Sequence, residues 1–179
     1  MSEAFQIRGG KKLHGEITPQ GAKNEALQIL CAVLLTDEEV RIKNIPDIHD
    51  VNRLIEILGD FGVKITKNAH GDYTFKADQV NFDYIKSKEF KTDGGKLRGS
   101  IMVLGPMLAR FGAAYMPTPG GDKIGRRRLD THFQGFVELG AEFHYDETEY
   151  FYTLKAKELR GKFILLEEAS VTGTANIIM

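Results

Sequence analysis

The sequence predicts an α/β fold assembled from repeats of one unit, a helix, a strand, a second helix and a hairpin. Two stretches echo each other. Gly62-Val63-Lys64-Ile65, a polar turn and Tyr73-Thr74-Phe75-Lys76-Ala77 return as Gly140-Ala141-Glu142-Phe143, another polar turn and Tyr152-Thr153-Leu154-Lys155-Ala156, each with the pattern of a hairpin. Ahead of each hairpin, apolar residues recur at helical spacing: Val51, Leu54, Ile55 and Leu58 in the first copy, Leu129, Phe133, Phe136 and Val137 in the second.

The first unit, about residues 21–80, opens after the turn residues Pro19 and Gln20 with a helix from Ala22 to Leu35, followed by a strand from Val40 to Lys43. The stretch Asn81 to Gly95, rich in Lys, Asp and Gly, reads as a linker. The second unit, about 95–157, starts with a helix from Lys96 to Arg110 and a strand from Ala113 to Met116. Pro106 falls inside that helix, where it removes a backbone hydrogen bond and is expected to kink it. A third unit, 162–179, begins: Lys162 to Leu166 reads as a strand, Ser170 or Thr172 as a helix cap, and Ala175 to Met179 as the first turns of a helix. The chain closes on uncapped apolar Ile177-Ile178-Met179, so it is expected to be the N-terminal piece of a longer protein.

With 179 residues, 42% hydrophobic and 27% charged, the chain is long enough for one sizeable core or two small ones. Its longest apolar run, Ile29 to Leu35, is far short of the roughly 20 residues of a membrane span. The N-terminus lacks the basic-then-apolar secretory pattern, so a cytoplasmic protein without a membrane partner is expected. A net charge of −1 argues against general nucleic-acid binding. The single cysteine, Cys31, can form neither an internal disulfide nor a multi-cysteine metal site, and its apolar surroundings predict a buried thiol. His14, His49, His70, His132 and His144 show no close metal-ligand spacing, and neither a metal nor a cofactor is expected.

Against that neutral background, Asp122-Lys123-Ile124-Gly125-Arg126-Arg127-Arg128, entered through Pro119-Gly120-Gly121, gathers four cations and one carboxylate. Glycines let the backbone approach a ligand, and guanidinium groups match phosphate or carboxylate oxygens in pairs, so the segment reads as an anion clamp with an embedded acid. A solvated basic loop is the competing reading of the charge run alone. Lys23 and Asn24, after Gly21-Ala22, stand at a helix start, where unpaired amides and a partial positive charge favour anions. Arg98 holds a related position in the second unit.

Taken in order, Gly9-Gly10, Gly15-Glu16, Gly21-Ala22-Lys23-Asn24, Leu97-Arg98-Gly99-Ser100, Gly105-Pro106, Ala109-Arg110-Phe111-Gly112 and Pro119 through Arg127 resemble the bacterial UDP-N-acetylglucosamine 1-carboxyvinyltransferase family, the enolpyruvyl transferases of peptidoglycan synthesis. The resemblance runs along essentially the whole chain, which stops well before half of that family's length. It implies an inverse α/β barrel of three helix-and-sheet units, with residues 1–20 belonging to a second domain. It also implies transfer of the enolpyruvyl group of phosphoenolpyruvate to the 3-hydroxyl of UDP-N-acetylglucosamine, with loss of phosphate through a tetrahedral intermediate. The partners implied are these two substrates and the missing C-terminal portion.

By the same resemblance, Lys23 and Asn24 meet phosphoenolpyruvate and the sugar, Arg98 the nucleotide sugar, and Arg127 is the clamp. Arg127, Arg128, Leu129, Asp130 and Thr131 match the segment that lines the uridine site, and Ala169, Ser170, Val171 and Thr172 the loop near the diphosphate. Asp122 falls where most members carry a proton-donating cysteine and some carry aspartate. An ordinary thiol, with a pKa of about 8.5, is mostly protonated at neutral pH, whereas an ordinary aspartic acid, at about 3.9, is ionised. Asp122 can therefore serve as an acid only where bound substrate charge and water exclusion oppose the neighbouring cations. Because fosfomycin alkylates the cysteine in this family, a member with aspartate there is expected to be insensitive. Two rival readings are the shikimate-pathway enolpyruvyl transferase, which prefers Lys-Ser where this chain has Lys23-Asn24, and a noncatalytic barrel binding nucleotide sugar or RNA through Arg126 to Arg128.

Overall fold

A computed structural model describes residues 4–120 and 128–179. In the first unit α1 (Lys23–Ala32) tightens into a 3₁₀ turn, Val33–Leu35, and buries Leu27, Leu30, Cys31 and Leu34 along one side. β1 (Glu39–Ile42), α2 (His49–Asp60), β2 (Lys64–Ala69) and β3 (Asp72–Lys76) follow. β3 is the centre of an antiparallel sheet of order β1-β3-β2, and its fully buried Phe75 stands opposite Val40 and Ile65. The next stretch forms α3 (Phe82–Ile85) and α4 (Lys88–Gly94). The second unit runs through a 3₁₀ segment, Arg98–Val103, then α5 (Leu104–Phe111), β4 (Ala113–Pro117), α6 (Asp130–Glu138), β5 (Glu142–Asp146) and β6 (Phe151–Lys155). Its sheet repeats the first in the order β4-β6-β5, with fully buried Leu154 opposite Ala114 and Phe143. α7 (Val171–Ile178) comes last.

The two units turn from helix to hairpin in the same way. Gly62 and Gly140 take φ of 92° and 106°, a left-handed region that side chains resist. Val63 N–H then donates to Leu58 and Ala141 N–H to Phe136, closing the helix ends. The helices and both sheets share one core, so a duplicated pattern folds as one body. Arg110 fastens the units together, its guanidinium donating to the carbonyls of Leu34, Thr36 and Ala77 at 2.8 to 3.1 Å.

Several expectations need correction. No kinked helix spans Lys96 to Arg110; a 3₁₀ segment gives way to α5, and Pro106 lies in the first turn of that new helix, where its missing N–H costs nothing. Asn81 to Gly95 is not a linker. Asn81 caps α3 by accepting from Tyr84 N–H, and Ile85 and Phe90 are buried, Phe90 edge-on to Phe61 with centroids 5.0 Å apart.

Lys162 to Leu166 forms no strand, because among the described residues no strand lies beside it to satisfy its backbone; Phe163 is 89% and Leu165 79% exposed. α7 begins at Val171, ahead of Ala175, and Ser170 rather than Thr172 is its cap, accepting from Gly173 N–H at 3.0 Å. On α6, Val137 is 49% exposed, and the buried face is Thr131, His132, Gly135 and Phe136, turned toward α7. Cys31 is buried and free as expected, and burial pushes its thiol far above the ordinary value, which leaves it unreactive. Among the described residues no helix is long and apolar enough to cross a membrane.

Candidate functional site

A cleft of about 920 Å³ opens where the leading helices of both units meet α6 and the start of α7. From α1 come Lys23 and Asn24, from α2 His49 and Asp50, from the second unit's 3₁₀ entry Lys96 and Arg98, from the entry to α6 Arg128 and Leu129, and from the last loop Glu168, Ala169, Ser170, Val171 and Thr172. These residues lie far apart in sequence. Lys23, Lys96, Arg98 and Arg128 outnumber Asp50 and Glu168 on its walls, which suits an anionic ligand.

Ala22 precedes α1 without a side-chain cap, so the first amides of the helix are left for water or a ligand. Lys23 Nζ meets Asp50 Oδ2 at 2.8 Å with both side chains substantially exposed. Such an exposed pair is weak, of the order of 0.2–1 kcal/mol, so a phosphate could compete for the ammonium. Arg98 donates to the Arg128 carbonyl at 3.4 Å. Arg128 in turn bridges Asp130 at 2.6 Å and Glu167 at 3.3 Å, tying the entry of α6 to the loop ahead of α7.

The cleft therefore gathers Lys23, Asn24, Arg98, Arg128, Leu129, Ala169, Ser170, Val171 and Thr172 from the sequence-based set. Asp130 and Thr131 do not line it: Asp130 is exposed beside Arg128, and Thr131 is buried with its hydroxyl unpartnered. Asp122 and Arg127, expected as proton donor and clamp, lie outside the described residues, as do Lys123 and Arg126.

Asp50, His49 and His132 are among the cleft residues that escaped the sequence reading. Asp50 is 27 positions from the lysine it holds, beyond any local signal. His49 precedes it at the start of α2. His132 is only 2% exposed, and burial, with a smaller contribution from Arg98, pushes its imidazole down to about 4, so it is neutral. Its position between Leu129 and Phe136 on the apolar face of α6 was the available signal. Among the described residues no group of three or more His, Cys, Asp or Glu could hold a metal ion. A second cleft, of about 810 Å³, lies between Gly112, Glu138 and Lys155 to Lys162 and contains none of the expected site residues.

Relatives and solved structures align with this architecture. The chain is 57% identical over 176 residues to UDP-N-acetylglucosamine 1-carboxyvinyltransferase of Bacteroides thetaiotaomicron, spanning 98% of this chain and 41% of that protein. It is 55% identical over the same length to the enzyme of that name from Porphyromonas gingivalis, again 98% of this chain and 41% of the relative. The chain thus spans about two fifths of the length of these curated relatives. Two solved structures share its fold: the enolpyruvyl transferase NikO of Streptomyces tendae, with a TM-score of 0.67, 21% identity and coverage of 85% of this chain and 32% of that one, and EPSP synthase of Acinetobacter baumannii, with a TM-score of 0.65, 16% identity and coverage of 91% and 37%. The α/β architecture of paired three-stranded sheets and helices is that of the enolpyruvyl transferases. The family model described as EPSP synthase (3-phosphoshikimate 1-carboxyvinyltransferase) matches residues 7–179, and this chain belongs to that family.

Proposed function

We propose that this chain provides one wall of the active cleft of an enzyme that transfers the enolpyruvyl group of phosphoenolpyruvate to the 3-hydroxyl of UDP-N-acetylglucosamine, releasing phosphate, in the first committed step of peptidoglycan synthesis. The observation that carries this reading is the convergence of Lys23, Asn24, Arg98, Arg128 and the 169–172 loop on one cationic cleft. The names of relatives 55–57% identical support the same substrates. The sugar oxygen attacks C2 of phosphoenolpyruvate while a proton is added at C3, and phosphate then leaves as C3 gives a proton back. Asp122 is the acid in this reading, Lys23 and Arg127 hold the phosphate and carboxylate, and Arg128 and Leu129 border the uridine, while Asp130 and Thr131 stand behind that wall rather than on it.

The second wall is assigned to a C-terminal portion of the same protein. Residues 4–22 carry no regular structure, and Phe5, Ile7, Leu13 and Ile17 are 87–100% exposed, which supports placing residues 1–20 against that portion. The protein is proposed to act in the cytoplasm with no cofactor, metal, nucleic-acid or membrane partner. The shikimate-pathway reaction is the second reading, because the matching family model bears its name. The longer protein, incubated with phosphoenolpyruvate, is expected to release phosphate when UDP-N-acetylglucosamine is supplied and not when shikimate 3-phosphate is supplied. The reverse preference would overturn the assignment. Residues 1–179 alone are expected to give no turnover with either.

A further inference from the structure

His132 occupies a position that its twin helix fills with an apolar side chain. It stands eight residues ahead of Gly140, as fully buried Leu54 stands eight ahead of Gly62. A buried imidazole in place of leucine requires partners, and it has two. Nδ1 lies 3.0 Å from Asn176 Nδ2, and Nε2 lies 3.3 Å from Thr172 Oγ1.

The protons in this chain follow from the ends of the network. Asn176, also fully buried, accepts from Gly105 N–H through Oδ1 at 2.8 Å and donates through Nδ2 to the Ile101 carbonyl at 3.0 Å. A backbone N–H can only donate and a carbonyl can only accept, so the amide is fixed in one orientation. Its second Nδ2 hydrogen points to His132 Nδ1, which must accept. The single imidazole proton therefore sits on Nε2 and is donated to Thr172 Oγ1. Having accepted there, the Thr172 hydroxyl keeps its own hydrogen to give elsewhere. Thr172 is exposed and lines the cleft.

We propose that His132 and Asn176 are positioning residues that make the Thr172 hydroxyl a committed hydrogen-bond donor to an anionic oxygen of the nucleotide sugar, in its diphosphate. This rests on the nucleotide-sugar reading above. The same network anchors α7 to the 3₁₀ segment carrying Arg98 and to α5, so cation and hydroxyl donor are held in one frame. A donor aimed at a phosphate oxygen makes a charge-assisted bond, stronger than one between neutral groups.

The test uses the longer protein, with steady-state kinetics in both substrates. Thr172→Val, which removes the donor and keeps the shape, is expected to raise KM for UDP-N-acetylglucosamine about tenfold, with kcat and KM for phosphoenolpyruvate within about twofold; Thr172→Ser restores it. His132→Asn, which can accept from Asn176 but cannot reach Thr172, is expected to raise the same KM, and His132→Gln, whose amide nitrogen reaches the Nε2 position, to recover most of it. The double variant His132→Asn with Thr172→Val is expected to be no worse than the single Thr172→Val. Additive effects, or an unchanged nucleotide-sugar KM in Thr172→Val, would overturn the relay while wild-type turnover leaves the substrate reading intact. Because Thr172 is exposed, its variants report even if His132→Asn does not fold. Wild-type protein without turnover of UDP-N-acetylglucosamine would overturn the substrate reading and the relay with it.

Discussion

In the first unit residues 43–48 join β1 to α2; in the second, residues 118–129 join β4 to α6, a connection twice as long at the same place in the repeat. The short link is fixed to its surroundings. Asn44 adopts φ of 60°, Ile45 N–H donates to the Gly71 carbonyl at 3.0 Å, and Asp47 accepts from the Asn52 amide at 2.8 Å. The long link carries Asp122, Lys123, Arg126, Arg127 and Arg128. The helices after these links differ in the same sense, Leu54 in one being His132 in the other. One copy of the unit keeps apolar and locally bonded residues where the other has charge and a buried imidazole. Duplication thus supplies a scaffold, and the second copy departs from it where the ligand is proposed to bind.

The largest expected effect sets the acids of the two links against each other. In the longer protein, Asp122→Asn keeps the shape but cannot give a carboxyl proton, and turnover is expected to fall about a thousandfold; Asp47→Asn is expected to leave it within about twofold. The same Asp122 makes fosfomycin inactivation a sharp assay. The wild type is expected to stay active, and Asp122→Cys to gain sensitivity while retaining activity, since a carboxylate is a much poorer nucleophile toward an epoxide than a thiolate. A covalent fosfomycin adduct on the wild type, or an active Asp122→Asn protein, would reassign the proton donor.

The two turn glycines come next. Both take left-handed φ, but a Cβ at Gly62 would lie 2.3 Å from the Gln79 carbonyl oxygen, against 3.4 Å between Gly140 and Glu158. Gly140→Ala carries only the conformational cost of about 1–2 kcal/mol, whereas Gly62→Ala must also displace backbone and is expected to cost about 3 kcal/mol or more in urea unfolding. Equal losses would mean that the 79–81 segment yields as readily as its counterpart.

Within the long link, Arg127→Lys keeps the charge and loses the bidentate fork, and kcat/KM is expected to drop about 30-fold. Arg128 is already committed to Asp130 and Glu167 at an exposed site, so Arg128→Lys is expected to change kcat/KM by no more than about threefold. Equal small effects from the two changes would mean that Arg127 is not the clamp.

The smallest effect is on stability against pH. His132, at about 4 in the folded protein against an ordinary 6.5, binds its proton less readily folded than unfolded. Its contribution is therefore fully present above about pH 6.5 and is lost as pH falls toward 4. By linkage, unfolding free energy is expected to fall by about 2 kcal/mol between pH 7 and pH 5. His132→Leu, which copies the twin residue Leu54, is expected to flatten that slope. Asp72, drawn down to about 2 by its hydrogen bonds from Arg41, contributes only in a lower window, present above 3.8 and lost toward 2. An unchanged slope in His132→Leu would show that another group titrates.

Much of this molecule was legible along the chain. The two hairpins, the glycine turns, α2, the burial of Cys31 and a cap at Ser170 are set by spacings of a few residues, which one sequence displays directly. The resemblance to the enolpyruvyl transferases singled out Lys23, Asn24, Arg98, Arg128 and the 169–172 loop for the same reason, as short motifs in fixed order. Tertiary structure decided the rest. It placed Pro106 at a helix start, folded Asn81 to Gly95 against Phe61, left Phe163 and Leu165 without a sheet to join, buried Thr131 and brought Asp50 to Lys23. It also set Asn176 against His132, 44 positions earlier, and so fixed which ring nitrogen carries the proton. Each of these depends on a partner distant in sequence, and a hydrogen bond or an apolar contact is decided by what lies within a few ångströms in space, which local periodicity does not encode.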